Sequence, residues 1–282
     1  MAMEWEVTFK GITYECINCA YCCSCESWRI YLNYFDKLKL KDYEYAIETC
    51  EGEFKYRLKI NDRGCILLTK NNLCKIHLEK GYEFKPLMCK IFPFSCMVKW
   101  DGTPLLIIKH YCKGIKKGRV DKKIIDEAIE LIRELYFDMF EEIVDRGMEH
   151  SSKTEMFEGC KIYWEEREEF GRYIFSSKSF DEMFERCEEI FGNNITKLKL
   201  KRFDEIKSNL LRYNTKENEE EILRYLLELN RREHFRKLPF YKEVNKLLDI
   251  GNYLTKYKNV FEGEGKVDKK LFLKQNYKII QY

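Results

Sequence analysis

Four cysteines lie within eight residues near the start of the chain, in the pattern Cys16-x2-Cys19-x2-Cys22-Cys23. The two-residue spacing lets successive thiolates converge on one centre, and zinc sites and ferredoxin-type clusters use it. Neighbouring side chains usually diverge, so Cys22 and Cys23 seldom bind one mononuclear ion together. We therefore expect two metal centres back to back, with the chain passing between them.

The chain has 13 cysteines, and 11 of them occur at or before Cys112. Residues 1–10 lack the basic and then apolar layout of a secretory signal. We therefore expect a cytoplasmic location, where the reducing environment makes paired disulfides rare. The odd number of cysteines and the adjacent pair also fit disulfides poorly. Because free thiols are prone to oxidation, so many of them together favour metal binding.

Eight of the cysteines are the predicted metal ligands, because they supply two sites with four thiolates each. They are Cys16, Cys19, Cys22, Cys23, Cys65, Cys74, Cys89 and Cys112. Cys25 is an alternative to Cys23, since it continues the even spacing of the first three cysteines. His77 and His110 are competing ligands, because each has chelating spacing to a nearby cysteine. The alternative for both histidines is a surface or outer-shell imidazole.

The four remaining cysteines are not expected to bind metal. Cys50 and Cys96 are predicted to pack as small hydrophobic side chains. Cys160 and Cys187 are predicted to be buried in the C-terminal half.

Hydrophobic patterning divides the chain near residue 118 and predicts an α+β fold. Residues 1–118 are expected to form a small, loop-rich cysteine-cluster domain with short antiparallel strands. Residues 119–282 are expected to form a mainly α-helical domain packed on it. Within the first domain, the turn at residues 61–64 predicts a hairpin, and residues 28–40 and 41–50 are predicted to be helical.

The C-terminal half carries the most regular helical pattern. Asp121 is a predicted N-cap, and apolar residues then recur on one face until Gly147, which predicts a helix over 121–147. Further helices are predicted at 153–170, 180–191, 219–235 and 240–257. The tail after Phe261 is expected to pack as a short strand or an irregular arm.

The cysteine pattern resembles that of the CxxCxxCC (YkgJ-type) family of zinc- or iron-chelating domains over residues 14–118. The family's motifs occur in its order, as Cys-Ile-Asn-Cys-Ala-Tyr-Cys-Cys at 16–23, Gly64-Cys65, Cys74-x2-His77, the block 86–93 and Cys112-x-Gly114. Lys85 and Lys90 stand where the family has arginine. Any carboxylate clamp at these two positions therefore lacks the bidentate arginine fork.

Three functions are consistent with this resemblance. The first is an iron–sulfur or other metal-cluster protein, either a redox or a protein-modifying enzyme, with a [4Fe–4S] cluster and a second iron or zinc ion. The second is S-adenosylmethionine-dependent protein lysine N-methylation, which the resemblance implies because the flagellin lysine N-methylase is a member of the family. The third is a structural zinc-binding adaptor module.

Aromatic residues near the cysteines bear on the methylase hypothesis. They would line a lysine site by cation–π contact, or alternatively form the hydrophobic shell of the metals. The residues concerned are Tyr14, Tyr21, Trp28, Tyr31 and Tyr34. Because the chain lacks the glycine fingerprint of a Rossmann nucleotide site, any adenosylmethionine site would have an unusual form.

Charge and hydropathy limit the partners. The net charge is +3, with 51 Lys and Arg against 48 Asp and Glu, so no overall field indicates nucleic acid. The chain lacks an apolar run of about 18 residues, so we expect no membrane partner. A protein substrate or a redox partner is the expected interaction. The high content of Lys and Glu, with two glutamines in all, favours a thermophilic source.

Overall fold

The computed structural model describes residues 4–9, 11–20, 22–24, 29–108, 112, 114–177 and 180–197, with short pieces at 239–242, 244, 259–262 and 265–268. Short, mainly antiparallel strands occupy the cysteine-rich part, and the longer helices follow it. The predicted α+β fold class is therefore confirmed.

The cysteine-rich part is built from short elements joined by loops. Its strands are β1 (Glu6–Val7), β2 (Ile12–Tyr14), β3 (Tyr31–Leu32), β4 (Ile47–Thr49), β5 (Tyr56–Leu58), β6 (Ile60–Asn61), β7 (Gly64–Cys65), β8 (Phe94–Val98), β9 (Pro104–Ile108) and β10 (Ile115–Lys117). Its α-helices are α1 (Tyr34–Lys39), α2 (Lys75–Lys80) and α3 (Leu87–Ile91), and its 3-10 turns are Lys41–Ala46 and Tyr82–Phe84.

The later part of the chain combines helices with two hairpins. The elements are α4 (Lys122–Leu135), α5 (Phe140–Gly147), β11 (Lys153–Phe157), β12 (Cys160–Tyr163), α6 (Trp164–Phe175), α7 (Phe180–Phe191), a 3-10 turn at Gly192–Lys197, β13 (Asn259–Glu262) and β14 (Gly265–Asp268). None of the helices in the described ranges is long and apolar enough to cross a membrane.

The strands pair in small sheets. The order β1-β9-β8 forms one three-stranded sheet, in which β1 runs parallel to β9 and β8 runs antiparallel to it. The order β3-β5-β4 forms a second, antiparallel sheet. The pair β6 and β7 is the hairpin predicted at residues 61–64, with Asn61 opposite Gly64. The pair β2 and β10 places Tyr14 opposite Ile115.

Two of the hydrophobic cores in the cysteine-rich part pack against predicted ligands. The first core joins β2, β8, β9 and β10 to the apolar face of α4, and Cys112 is one of its buried members. The second core joins β3 and β5 to α2, and Cys65, Cys74 and Cys89 pack against it. Met88 contacts both cores. Five predicted ligands therefore pack on these cores, Cys22 and Cys112 on the first and Cys65, Cys74 and Cys89 on the second.

The helix predicted over residues 121–147 is divided in two. Asp121 does cap it, since its carboxylate accepts a hydrogen bond from the backbone N–H of Lys123 at 2.9 Å. The chain leaves the helix at Tyr136, whose ring packs on Phe54 with a centroid distance of 5.4 Å. The second piece, α5, then packs on β8. Because α4 belongs to the first core, a core is shared across residue 118, and the domain boundary there stays a prediction.

Four other helix predictions have clear outcomes. The helix at 180–191 is confirmed as α7. The prediction of a helix at 153–170 is wrong over its first half, where β11 and β12 form a hairpin around Gly159. The helices at 28–40 and 41–50 are wrong in part, because β3 precedes α1 and β4 follows a 3-10 turn. The helix predicted at 219–235 lies outside the described residues.

Candidate metal centre

The cysteine loop, residues 15–24, is attached at its N-terminal end to the turn that contains Cys112. The backbone N–H of Glu15 donates to the carbonyl of Gly114 at 3.1 Å. A Cβ atom on Gly114 would lie 2.2 Å from the Glu15 carbonyl oxygen, so a glycine is required there. The N–H of Gly114 also donates to the sulfur of Cys112 at 3.4 Å. This turn therefore brings Cys112 and the start of the loop together.

The other end of the cysteine loop is held by β7. The backbone N–H of Cys65 donates to the carbonyl of Cys23 at 2.7 Å. A Cβ atom on Gly64 would lie 2.1 Å from that same carbonyl oxygen, and Gly64 has a φ of +98°. Glycine at residue 64 is therefore needed both for its backbone conformation and for this close approach.

Inside the loop, two residues adopt left-handed backbone conformations. Asn18 and Ala20 each have a φ of 54°. The carbonyl of Ala20 accepts hydrogen bonds from the N–H groups of Cys23 and Ser24, both at 2.9 Å. A left-handed alanine costs about 1–2 kcal/mol. Such strain is typical of functional loops that their surroundings hold in place.

Cys22 and Cys23 belong to different surroundings. Cys22 packs against the first core, whereas Cys23 is hydrogen-bonded to β7. Their sulfur atoms are 3.8 Å apart. The hydrogen bond between them and burial raise the pKa of Cys22. The same hydrogen bond, aided by Lys85 and opposed by burial, lowers the pKa of Cys23 to about 7.

Seven of the eight predicted ligands fall into two groups. The first cysteine group is Cys16, Cys22 and Cys112, which all lie close enough to Tyr14 to interact with its hydroxyl electrostatically. The second cysteine group is Cys23, Cys65, Cys74 and Cys89, and the Cys89 thiol interacts electrostatically with the other three. Cys19 is exposed on the cysteine loop. The two groups meet at Cys22, which also interacts with Cys89.

Lys85 is the cation beside the second cysteine group. Burial lowers the pKa of its ammonium, but the neighbouring thiols of Cys89, Cys74 and Cys23 outweigh this and raise it. The same ammonium lies 5.3 Å from the ring centroid of Tyr82. From the sequence we expected a weakened carboxylate clamp at this position. The structure instead places Lys85 against thiols, where a positive charge favours their ionised form.

The thiols are neighbours, but their side chains are not gathered closely. Within the part of the chain that the structure describes, no three His, Cys, Asp or Glu side chains are gathered so as to hold a metal. Burial raises the pKa of Cys65 to about 12 and also raises the pKa of Cys89. A cation is what would allow such buried thiols to ionise, and sulfur donors suit zinc, iron and iron–sulfur clusters. The donor set of the second group therefore fits the predicted metals.

The other candidate ligands have different outcomes. His77 packs its ring edge-on against Tyr82, with a centroid distance of 5.9 Å. His110 and Cys25 lie outside the described residues. The Cys50 thiol donates to a backbone carbonyl at 3.1 Å, and burial raises the pKa of Cys96 to about 12.

The two cysteines of the C-terminal half differ from each other. Cys187 is fully buried, as predicted. Cys160 is exposed, so its predicted burial is wrong. The reason is that it begins β12 on a two-stranded hairpin, where an exposed position replaces the expected helix face.

The aromatic residues do not act as one set. The hydroxyl of Tyr14 donates to the carbonyl of Phe92 at 3.3 Å, beside the first cysteine group. Tyr31 stacks on a core phenylalanine, and Tyr34 is 63% exposed on α1. Tyr21 and Trp28 lie outside the described residues. Of the described three, Tyr14 is therefore the one that forms part of the cysteine surroundings.

Comparison with known proteins agrees with the cysteine pattern. Residues 15–113 match the family described as "CxxCxxCC: Putative zinc- or iron-chelating domain". An uncharacterized protein of Methanocaldococcus jannaschii is 82% identical over 273 residues, which is 97% of this chain and 99% of the relative. A second uncharacterized protein of that organism is 29% identical over 176 residues, 57% of this chain and 90% of the relative. No solved structure matches the chain.

Proposed function

The chain belongs to the family of the CxxCxxCC zinc- or iron-chelating domain, and on that premise we propose that it holds two adjacent metal centres. The first centre takes Cys16, Cys19, Cys22 and Cys112 as ligands. The second centre takes Cys23, Cys65, Cys74 and Cys89. The observation that carries this proposal is that two adjacent cysteines have different surroundings. Cys22 packs against the first core, whereas the carbonyl of Cys23 is hydrogen-bonded to β7, although their sulfur atoms lie 3.8 Å apart.

The second centre is proposed to hold a [4Fe–4S] cluster, and the first an iron or zinc ion. A bound cluster would supply one-electron transfer, and its potential depends on burial and on hydrogen bonds to the sulfurs. The second cysteine group supports this assignment because three of its members pack on an apolar core. Lys85 also offsets part of the negative charge that four thiolates bring. The chain would then act in a redox or protein-modifying reaction.

The test is metal analysis of protein purified without oxygen. Iron, acid-labile sulfide and zinc are quantified per chain in the parent and in Cys112→Ser and Cys65→Ser variants. We expect Cys65→Ser to lose iron and sulfide while the first centre keeps its ion, and Cys112→Ser to show the reverse. Cys160→Ser is the control, since Cys160 is exposed and lies in neither group.

Two results would contradict parts of the proposal. A colourless chain with two zinc ions would favour the structural zinc adaptor and exclude the cluster. A chain whose metal content is unchanged in both variants would refute the ligand assignment.

The methylase alternative requires a site for S-adenosylmethionine. A cavity of about 530 Å³ lies between Trp5 and the turn before β9, and Glu4, Glu6 and Asp101 are among its lining residues. Cys112 follows the opposite end of β9, so the cavity and this predicted ligand lie at opposite ends of the strand. Equilibrium binding of adenosylmethionine to the metal-loaded protein tests the alternative directly, and saturable binding would favour it.

A further inference from the structure

The two cysteine groups differ in their access to solvent. In the first centre Cys16 and Cys19 are exposed, Cys22 is partly buried and Cys112 is buried, whereas none of the four ligands of the second centre is exposed. External ligands that compete for a metal ion would therefore meet thiols of the first centre first. In the second centre they would first have to displace protein atoms.

The groups also differ in how firmly the chain holds them. Cys65 lies on β7, Cys74 caps α2 and Cys89 lies within α3, so regular elements carry three thiols of the second group. Cys16 and Cys19 lie instead on the cysteine loop, whose backbone is tied to its neighbours at residues 15 and 23. The loop interior contains the left-handed Asn18 and Ala20. Movement of the loop between these two attachments would open the first centre and leave Cys23 in place.

From these differences we propose that the first centre is an exchange site, where a transition-metal ion is taken up from and released to soluble thiol or nitrogen chelators. The second centre keeps its metal and maintains the fold around it. This inference rests on the proposed function, since it assumes that both centres bind metal. Exchange is a ligand substitution, in which each chelator donor replaces one thiolate and the freed cysteine takes up a proton.

The test follows release of zinc, used as the probe ion, from the full-length chain loaded with zinc alone. An excess of the chromophoric chelator 4-(2-pyridylazo)resorcinol reports each zinc ion as it leaves. We expect two phases of equal amplitude, with the first at least about tenfold faster than the second. Tenfold is the lower end of the effect that the residues around a metal site have on its affinity. Cys19→Ser should abolish the fast phase and Cys74→Ser the slow one, whereas Cys160→Ser should change neither.

The outcomes separate this inference from the proposed function. Two zinc ions that leave in one phase, or a fast phase that disappears in Cys74→Ser, would overturn the exchange site and leave the two centres standing. A chain that binds no zinc and no iron would overturn both. Because Cys19 is exposed, its substitution should leave the fold intact. Circular dichroism of both variants checks that each is folded, and the result for Cys74→Ser counts only for folded protein.

Discussion

At the scale of single residues, glycines control how closely the cysteine loop approaches its neighbours. Gly64 and Gly114 each face a backbone carbonyl of the loop at a distance that excludes any side chain. Each glycine lies within two residues of a predicted ligand, Cys65 or Cys112. The sequence pattern contained both glycines, but their purpose depends on a chain segment some 40 to 100 residues away.

Gly64→Ala is expected to displace Cys23 and to weaken the second centre. The left-handed backbone costs alanine about 1–2 kcal/mol, and overpacking against the Cys23 carbonyl adds about 1–3 kcal/mol. Gly52→Ala is the matched control, because Gly52 has a φ of +114° and open space around it. Urea unfolding and metal content should both be more affected at residue 64. Equal losses of stability in the two variants would mean that the contact with Cys23 is unimportant.

Lys85 provides a second prediction at this scale. Lys85→Gln removes the positive charge beside the second cysteine group while keeping a chain of similar length. We expect a roughly 10-fold to 100-fold loss of metal affinity at the second centre, the range typical of residues around a metal site. Lys85→Arg should restore most of the affinity, because it restores the charge. Competition against a chelator of known affinity measures the change, and full affinity in Lys85→Gln would contradict the role of the charge.

At the scale of elements, α1 fixes the position of residues 85–87, which lead into α3 and Cys89. The carboxylate of Asp36 is buried and accepts the backbone N–H of Leu87 at 3.1 and 3.2 Å. The ammonium of Lys39 lies 3.2 Å from this carboxylate and donates to the carbonyl of Lys85 at 3.3 Å. One short helix thus orients α3, which carries a predicted ligand.

Asp36→Ala is expected to destabilise this corner, because it leaves the buried N–H of Leu87 without its acceptor, at a cost of about 1–3 kcal/mol. Asp36→Asn should lower the stability less, since its amide oxygen can still accept the N–H of Leu87. The loss of charge also matters less here, because burial raises the pKa of the native carboxyl despite Lys39. Denaturant unfolding measures both variants. Asp42→Ala is the control, because Asp42 is 59% exposed. The assignment would fail if Asp36→Ala were as stable as this control.

The helix predictions show which local signals were decisive. Asp121 capped its helix as expected, since capping depends on residues within one turn. The hairpin at 153–163 was missed, although Gly159 with a φ of +79° allows its turn. The side chains of β11 alternate between exposed and buried only in part. The carboxylate of Glu166, which lies inside the predicted helix, accepts the backbone N–H of Tyr163 and so caps α6. A period of two over five residues is too short to compete with the helical pattern that follows.

At the scale of the whole molecule, the later helices are joined to the cysteine-rich part through a buried ionic contact. Glu168 on α6 accepts hydrogen bonds from the Trp100 indole and the Lys99 ammonium, both at 3.1 Å. Trp100 stacks on Trp164 with a centroid distance of 6.2 Å. This contact connects α6 with the turn between β8 and β9, and none of the predicted ligands takes part in it.

Glu168→Ala should therefore lower the free energy of unfolding by about 1–3 kcal/mol, because it removes the acceptor of the Trp100 indole, while Lys99 keeps its ion pair with Asp101 at 3.1 Å. Metal content should not change. The neighbouring Glu169 is exposed, and Glu169→Ala should stay within about 0.5 kcal/mol of the parent. Calorimetry and metal analysis of the same samples test both statements. Loss of metal in Glu168→Ala would mean that α6 supports the centres directly.

The sequence by itself determined that the chain has an α+β fold, that its cysteines are spaced for metal, that Asp121 caps a helix, and that residues 180–191 are helical. These conclusions depend on spacing and periodicity, which are local. Only the tertiary structure decided which thiols share a group, because Cys23, Cys65 and Cys89 come together through strand pairing and core packing over tens of residues. It also decided that Lys85 faces thiols, since the direction of a side chain depends on the packing of the elements around it.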